Sequence, residues 1–351
     1  MKKIKIKKIL VIKFRFHGDM LLITPVISSL KANYPDAIID VLGYEGSVEI
    51  LRVNDDVDKI FAVKNKKASF SNKTLDYLKV VHELHKEKYN LVVNLSDQWL
   101  SGLMTRLISP SYSVAFEFQQ RNQFLWRLFF HELVKPEGTH VVERNLSILN
   151  AFDFPVTVKN TKMGYHAFVW EGIKFRLGKE WDQQKYVVVQ PTARQKFKYW
   201  DDEKFAEVID YIQRVTHHKV IITCGPSEDD KRCVARIAEL CKVKPVMTLA
   251  GNTTFDELAA VIDHAQFFIG VDSAPMHIAA AVDTPIICLF GATDHRAWHP
   301  WTEKFWMVWA GNYHPMPKRS EIDRSFKYLS YIPVEKVIDA VNSAVTAEKA
   351  G

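Results

Sequence analysis

The chain has 351 residues, of which 47% are hydrophobic and 25% are charged, as expected for a globular protein with more than one core. Four cysteines without CxxC spacing argue against a disulfide framework or a structural zinc, and no run of about 18 apolar residues could span a bilayer. The basic N-terminus lacks the apolar core of a signal peptide, so we expect a cytoplasmic protein. A net charge of +6 permits an anionic partner, without choosing among a phosphorylated sugar, a membrane surface and a nucleic acid.

The first half of the chain alternates short β-rich runs with longer amphipathic stretches, which is the pattern of an α/β fold. Thr24 followed by Pro25 is typical of a helix N-cap with proline in the first turn, and it leaves residues 18–23 as a loop or an irregular turn. The predicted strands are 8–14, 38–42, 60–63, 91–94 and 112–116, and the predicted helices include 24–33 and 73–87.

The pattern weakens between residues 154 and 182, where scattered glycines and Pro155 predict the connection between two domains. The βα alternation then restarts. Apolar spacing in 333–345 predicts a terminal helix that could pack back across both domains. The other elements predicted in this half are strands at 186–190, 219–223, 267–270 and 285–290 and helices at 202–216, 228–241, 255–265 and 273–282.

Polar turns follow all four predicted strands of the second half. Because the carboxyl ends of parallel strands meet at one edge of a sheet, these turns should converge. Free N–H groups at helix starts bind phosphate, Ser273 is a predicted N-cap, and Lys196 and Lys198 add positive charge. The pattern favours a nucleotide-diphosphate site, although any doubly wound domain carries such turns.

Two common nucleotide signatures are missing from the sequence, since neither a Walker A motif nor a GxGxxG after a strand occurs. The second absence argues against a dinucleotide dehydrogenase. One DxD, formed by Asp56 and Asp58, could be a metal–diphosphate motif, but its polar surroundings favour a solvated loop. The sequence therefore predicts no metal requirement, because lysine and helix dipoles could neutralise a leaving phosphate.

The segment 15–25 places Asp19 on a glycine-hinged loop at the carboxyl end of the first strand, where open parallel sheets bind ligands. Asp19 is the candidate general base, since a carboxylate in a cleft can deprotonate an attacking sugar hydroxyl. The alternative is that Asp19 only caps the following helix. His17 could orient a substrate or have a structural role.

Together, segments 13–25, 190–200, 223–228 and 267–293 resemble the glycosyltransferase family 9 heptosyltransferases of lipopolysaccharide core assembly. Within that family the chain looks most like the enzymes that add a branch heptose to the inner core. The resemblance implies a GT-B fold, with two Rossmann-like domains facing a central cleft. Its implied divisions are an acceptor-binding domain at 1–170, a sugar-nucleotide-binding domain at 171–332 and a terminal helix at 333–351 that could pack on the first domain.

The resemblance also implies an inverting transfer of heptose from ADP-L-glycero-D-manno-heptose, with no cofactor and no metal, to a heptose of the inner core. By position, Asp19 resembles the family's base, Lys198 its phosphate-binding lysine, and Asp272 the carboxylate that holds the donor heptose. Ala274 stands where relatives often have glycine, and Ala193 where some have a hydroxyl residue. The remaining positions matched to donor binding are Thr192, Ala193, Ser227, Glu228, Ser273, Ala274 and His277.

Arg106, Arg121 and Arg127 flank the apolar stretch 124–130. This pairing suits an anionic, lipid-linked acceptor and a peripheral position on the cytoplasmic face of the inner membrane; an amphipathic core helix is the alternative. His17 and Arg121 are the candidate acceptor-binding residues.

A GT-B sugar-nucleotide epimerase and a non-catalytic nucleotide-binding assembly partner remain alternative functions. Dispersed basic residues without a recognised module argue against nucleic-acid binding.

Overall fold

The first compact unit, Met1–Lys162, contains an entirely parallel sheet of six strands. Its strands are β1 (Lys8–Lys13), β2 (Ile38–Tyr44), β3 (Lys59–Val63), β4 (Leu91–Asn94), β5 (Tyr112–Phe116) and β6 (Glu132–Val134). Their spatial order is β3-β2-β1-β4-β5-β6, which is the Rossmann order, with a topological switch point between β1 and β4. The computed structural model describes residues 6–64, 70–119, 121–178, 181 and 184–350.

All five predicted strands of the first half are confirmed. Four of them are apolar runs that the sheet buries, whereas in β3, at the edge of the sheet, only Val63 is buried. The sixth strand, β6, has three half-buried residues and was not predicted, since so short an edge strand carries little pattern. The helices of this unit are α1 (His17–Leu21), α2 (Thr24–Asn33), α3 (Phe70–Lys86), α4 (Trp99–Ile108), α5 (Gln123–Arg127) and α6 (Val141–Leu146).

The start of α2 differs from the prediction. Residue Ile23 occupies the N-cap position and makes no side-chain cap, so Thr24 is the first helical residue rather than the cap. The Thr24 hydroxyl is fully buried; it donates to the carbonyl of Leu21 at 2.7 Å and accepts from the amide of Lys162 at 2.9 Å. Of the two alternatives predicted for residues 18–23, a loop or an irregular turn, the loop is wrong, because residues 18–21 belong to the five-residue helix α1.

The second unit, Met163–Gly351, contains five parallel strands: β7 (Tyr186–Gln190), β8 (Lys219–Ile222), β9 (Phe268–Val271), β10 (Ile286–Phe290) and β11 (Phe305–Trp309). Their order is β11-β10-β9-β7-β8, so the switch point lies between β7 and β9. Val246 adds a single parallel bridge to Ile221 on the outer side of β8. The sheet therefore approaches the arrangement of the first one, with that bridge in place of a sixth strand.

The helices of the second unit cover both faces of its sheet and are α7 (Ala167–Leu177), α8 (Asp202–Tyr211), α9 (Glu228–Leu240), α10 (Phe255–Asp263), α11 (Ala274–Ala281), α12 (His295–Trp298) and α13 (Val334–Ala350). Four strands and five helices of this half were predicted from sequence. Helix α8 is shorter than predicted because residues Ile212–Thr216 form a π-helical turn. Strand β11 and helices α7 and α12 were not predicted.

The division between the units falls after Lys162, before the predicted boundary between residues 170 and 171. Helix α7 packs against α10, where Arg176 pairs with Glu257 at 3.1 Å and Trp170 stacks on His264 at 3.9 Å between ring centroids. These contacts place α7 in the second unit, although its stretch of sequence predicted only a connection.

The terminal helix α13 packs against α8, β10 and β11. Its apolar side chains Val337, Val341 and Ala344 are buried in the core of the second unit. The indole of Trp200 donates to the carbonyl of Ile332 at 3.2 Å and fixes the segment that leads into the helix. In the described ranges, no helix is both long enough and apolar enough to cross a membrane.

Candidate active site

The switch point of the second sheet brings together two chain segments that are distant in sequence. In the parallel register Gln190 lies opposite Gly270, at the carboxyl ends of β7 and β9. Each strand then continues into a polar turn, so Thr192 and Asp272 emerge at the same edge. This is the position at which open α/β sheets bind ligands.

Lys198 and Asp272 form an ion pair at this edge. The lysine follows buried Phe197 on a 3-10 turn, and its Nζ lies 2.7 Å from Oδ2 of Asp272. The carboxylate side chain is 7% exposed and the lysine side chain 22% exposed. The pair therefore combines a carboxylate fixed in the protein with a cation that still reaches solvent, as a phosphate-binding lysine must.

Helix α11 begins beside this pair. Ser273 is its N-cap, as predicted; its backbone is extended, and its side chain makes no capping hydrogen bond. Within the described ranges its buried Oγ atom has no hydrogen-bond partner, and neither has the buried Nδ1 atom of His277 in the next turn. Buried polar atoms in folded proteins are nearly always paired, so two unpaired ones at a helix start make this edge the candidate position for a ligand. Ala274, the first helical residue, offers only its backbone there.

The pKa of His277 is lowered to about 4, chiefly by burial. Asp272 opposes this shift, and the positive charges of Lys198 and His299 contribute to it. The imidazole is therefore neutral at pH 7. A neutral ring has one donor and one acceptor nitrogen. It can thus take part in a hydrogen bond to a ligand without adding a buried charge.

The Thr192 hydroxyl is positioned by two neighbouring residues. Gln190 Nε2 donates to Thr192 Oγ1 at 3.0 Å, and Thr223 Oγ1 donates to Gln190 Oε1 at 2.7 Å. All three side chains are buried, at the ends of β7 and β8. Thr192 Oγ1 therefore accepts the hydrogen bond from Gln190, and the hydroxyl proton of Thr192 is left to donate to a ligand. Ala193, the next residue, packs half-buried on the core and has no polar side chain.

Ser227 and Glu228 lie one strand further along, at the start of α9. The Ser227 hydroxyl caps the helix by accepting from the amide of Asp230 at 3.1 Å, and Glu228 pairs with Lys231 at 3.0 Å. Tyr199 donates to Asp230 at 2.7 Å, which ties this helix start to the residue after Lys198. Both predicted residues are exposed and engaged locally.

At the first sheet, Asp19 lies in the first turn of α1, directly after the carboxyl end of β1. Its half-buried carboxylate makes no hydrogen bond or ion pair with any other residue in the described ranges. The alternative interpretation of Asp19 as the cap of α2 is wrong, because α2 has no side-chain cap. His17 is the first residue of α1 and is also half-buried.

A buried lysine lies behind Asp19. Lys13 Nζ donates to the carbonyl of Leu95 at 3.1 Å and to Oδ1 of Asn145 at 3.3 Å. Burial lowers the pKa of Lys13, against an opposing effect of Asp19. Asn145 also donates to the carbonyl of Leu22 at 2.9 Å, and so fixes the end of α1. No motif or local pattern in the sequence pointed to Asn145, which lies in α6.

Arg121 lies at the same edge of the first sheet. Its Nε donates at 2.5 Å to the carbonyl of Asp97, whose carboxylate pairs with Arg15 at 2.8 Å. The guanidinium also lies 5.5 Å from the ring centroid of Trp99. Arg121 is thus connected through Asp97 to the segment that leads into Asp19.

The DxD residues have structural roles. Asp56 accepts from the Ser28 hydroxyl at 2.6 Å and pairs with Lys162 at 3.3 Å, while Asp58 accepts from the amide of Ile39 at 2.8 Å. Among the residues that the structure describes, no group of three or more His, Cys, Asp or Glu side chains is arranged to hold a metal ion.

Two Rossmann-type units, each with polar groups gathered at its switch point, have the architecture of GT-B glycosyltransferases. The model of glycosyltransferase family 9 (heptosyltransferase) matches residues 77–329. A lipopolysaccharide heptosyltransferase 3 of Escherichia coli is 48% identical over 337 residues, which cover 96% of this chain and 99% of the relative. The chain therefore belongs to glycosyltransferase family 9, and the predicted family is confirmed.

Solved structures agree with this fold. The glycosyltransferase family 9 protein of Veillonella parvula DSM 2008 superposes with a TM-score of 0.85 at 20% identity, covering 97% of this chain and 98% of its own. The Escherichia coli heptosyltransferase WaaC with ADP gives a TM-score of 0.76 at 20% identity, covering 96% and 99%. The predicted GT-B fold class is confirmed.

Proposed function

We propose that the protein transfers L-glycero-D-manno-heptose from ADP-heptose to a heptose of the lipopolysaccharide inner core, with inversion at the anomeric carbon. Its relative of 48% identity is a lipopolysaccharide heptosyltransferase 3. The observation that carries the donor assignment is the pair of unpaired buried atoms, Ser273 Oγ and His277 Nδ1, beside the Lys198–Asp272 ion pair. A sugar diphosphate supplies the hydrogen-bonding oxygens and the negative charge that such a site requires.

In the proposed reaction, the acceptor hydroxyl oxygen attacks the anomeric carbon as its proton passes to Asp19. The bond from that carbon to the phosphate oxygen breaks, and its electron pair leaves with ADP. Lys198 and the amino end of α11 stabilise the negative charge that develops on the phosphate. Asp272 is placed to accept hydrogen bonds from donor sugar hydroxyls, and Thr192 to donate to the diphosphate. The reaction needs no cofactor.

His17 and Arg121 are proposed to bind the anionic acceptor, because both lie at the sheet edge that carries Asp19. A lipid-linked acceptor would bring the protein to the cytoplasmic face of the inner membrane, as a peripheral protein. Ser227 and Glu228 are proposed contacts of the donor nucleoside, with Ala193 and Ala274 contributing backbone groups. The side chain of Ser227 already caps α9 and that of Glu228 is already paired with Lys231, so their substitution should have the smallest effect of the set.

The test is ADP release from ADP-heptose, measured with and without truncated lipopolysaccharide that lacks the branch heptose. Acceptor-dependent release, with a heptosylated product of inverted configuration, is the expected result. An epimerase would convert the sugar nucleotide without any acceptor. A non-catalytic assembly partner would bind the donor without turnover. Either of these two outcomes would replace the proposed function.

A further inference from the structure

Helix α4 carries an apolar face that is turned to solvent. Trp99, Leu103 and Leu107 follow one another at four-residue spacing, which places them on one side of a helix. Their exposed fractions are 38%, 47% and 45%. In a helix that only packed on the sheet, the apolar stripe would be buried, as Met104 and Ile108 are.

Helix α5 lies against α4 and extends this exposed apolar area. The ring of buried Trp126 contacts that of Trp99 edge to face, with 5.4 Å between the ring centroids, and a Cβ atom at Gly102 would lie 3.1 Å from the Trp126 ring. On the solvent side, Phe124 is 76% exposed and Leu128 is 60% exposed. The α4–α5 surface is defined by six exposed apolar side chains: Trp99, Leu103, Leu107, Phe124, Leu125 and Leu128.

The charge of this region is positive. Residues 99–130 contain three arginines, Arg106, Arg121 and Arg127, and one acidic residue, Glu117. Glu117 pairs with Arg127 at 3.6 Å, whereas exposed Arg106 makes no ion pair within the described part of the chain. Large apolar side chains with basic neighbours are the composition of helices that lie in the interface of an anionic membrane.

We propose that the α4–α5 surface docks on an anionic lipid bilayer, with its apolar side chains in the interface and Arg106 at the lipid phosphates. This proposal rests on the proposed function, because only a lipid-linked acceptor gives the enzyme a reason to meet a bilayer. Exposed apolar areas of this kind otherwise promote aggregation, so a stable protein that keeps one has a partner for it.

The surface is continuous with the segment that carries the candidate base. Asp97, two residues before Trp99, pairs with Arg15 and receives the hydrogen bond of Arg121. Phe16, next to Arg15 in the chain, is 42% exposed. A bilayer seated on the α4–α5 surface would therefore present a membrane-bound saccharide at the sheet edge that carries Asp19.

Helix α7 provides a matched comparison, because it also exposes two large apolar side chains. Phe168 is 72% exposed and Phe175 is 90% exposed. The neighbouring cations are already paired, however: Lys174 with Glu171 at 2.9 Å and Arg176 with Glu257 at 3.1 Å. Among the residues described around it, helix α7 thus exposes apolar area of similar kind beside cations that are already paired.

The test is flotation of the full chain with vesicles of phosphatidylglycerol and phosphatidylethanolamine, or of phosphatidylcholine alone. We expect binding to the anionic vesicles that weakens with salt, and at least about tenfold weaker binding for Phe124→Ser/Leu128→Ser. Arg106→Gln should weaken it about threefold, and Phe168→Ser/Phe175→Ser should leave it unchanged. Absence of binding, an equal loss in the α7 control, or a wild-type dimer that Phe124→Ser/Leu128→Ser dissociates would overturn the proposal.

Activity separates this proposal from the proposed function. With a water-soluble, deacylated acceptor, Phe124→Ser/Leu128→Ser should release ADP as fast as the wild type. With acceptor embedded in anionic vesicles, its kcat/KM should fall about tenfold. If the variant matched the wild type on both acceptors, docking would be contradicted, while the proposed heptose transfer would stand. A wild type inactive on both acceptors, yet bound to vesicles, would contradict the proposed function alone.

Discussion

The two switch points are built on the same βα plan but satisfy their polar atoms differently. At the first sheet, the cations Lys13, Arg15 and Arg121 all have protein partners, and Asp19 is a half-exposed carboxylate that water can solvate. At the second sheet, Lys198 and Asp272 form an ion pair, but Ser273 Oγ and His277 Nδ1 are buried with no hydrogen-bond partner among the residues that the structure describes.

From this difference we predict that the first site is complete in the free protein, whereas the second becomes complete when a ligand fills it. An unpaired buried polar atom costs about 1–3 kcal/mol, and a water-exposed carboxylate costs nothing comparable. Ligand binding should therefore stabilise the second unit far more than the first. Four substitutions test how far this contrast extends.

The largest effect is expected at Asp19. Asp19→Asn removes the only proton acceptor of its type in the first turn of α1, and a positioned base typically contributes about 10²–10⁴-fold in rate. ADP affinity should stay unchanged, because the donor groups belong to the other unit. Steady-state kinetics with ADP titration measures both. Asp55→Asn, at a side chain that is 90% exposed, is the control, and equal losses in the two variants would remove Asp19 from the reaction.

Lys198→Met should have the next largest effect. Losing one preorganised group that stabilises transition-state charge typically costs about 10²–10³-fold in kcat. Here it also leaves buried Asp272 without its cation, so ADP affinity should fall as well. Lys196→Met removes an exposed lysine two residues away that pairs with Asp229 at 3.4 Å, and it should change neither quantity. In a double-mutant cycle of Lys198→Met and Asp272→Asn, additive losses of activity would show that the two residues do not act as a pair.

His277 makes the stability of the second unit depend on pH. Its pKa is about 4 in the folded protein, below the ordinary value of 6.5, so between these values the unfolded chain binds a proton that the folded chain does not. Stability should fall as the pH drops through this window, by up to about 3 kcal/mol, and then level off below pH 4. Urea unfolding of His277→Gln should lack this fall, whereas exposed His166→Gln should keep it.

Thr223→Val should have the smallest effect. It removes the 2.7 Å hydrogen bond to Gln190, which in turn positions Thr192, and one such bond contributes about 1 kcal/mol. ADP affinity should fall about fivefold, with a small decrease in thermal stability. Thr346→Val removes a comparable hydroxyl bond, at 2.8 Å to Asn342, from exposed α13. If this control lowered ADP affinity equally, Thr192 would not depend on its two neighbours.

The strands and most of the long helices could be predicted because their signals are local. Residues 186–190 form an apolar run that a parallel sheet buries on both faces, and turn chemistry marks where it ends. Asp19, Lys198 and Asp272 follow such strand ends, so the sequence also predicted them as members of two sites. Helix α7 was missed because its apolar residues lack strong helical periodicity, and β6 because three half-buried residues form no pattern.

The sequence by itself determined the βα alternation, the two switch points and the charged residues that follow their strands, because each depends on neighbours within a few positions. Only the tertiary structure decided which polar atoms are satisfied. Asn145 forms hydrogen bonds with Leu22 and Lys13, which lie 123 and 132 positions before it in the sequence. No local pattern encodes such contacts. The unpaired atoms of Ser273 and His277 were likewise set by packing, since burial around α11 removes water without supplying a partner.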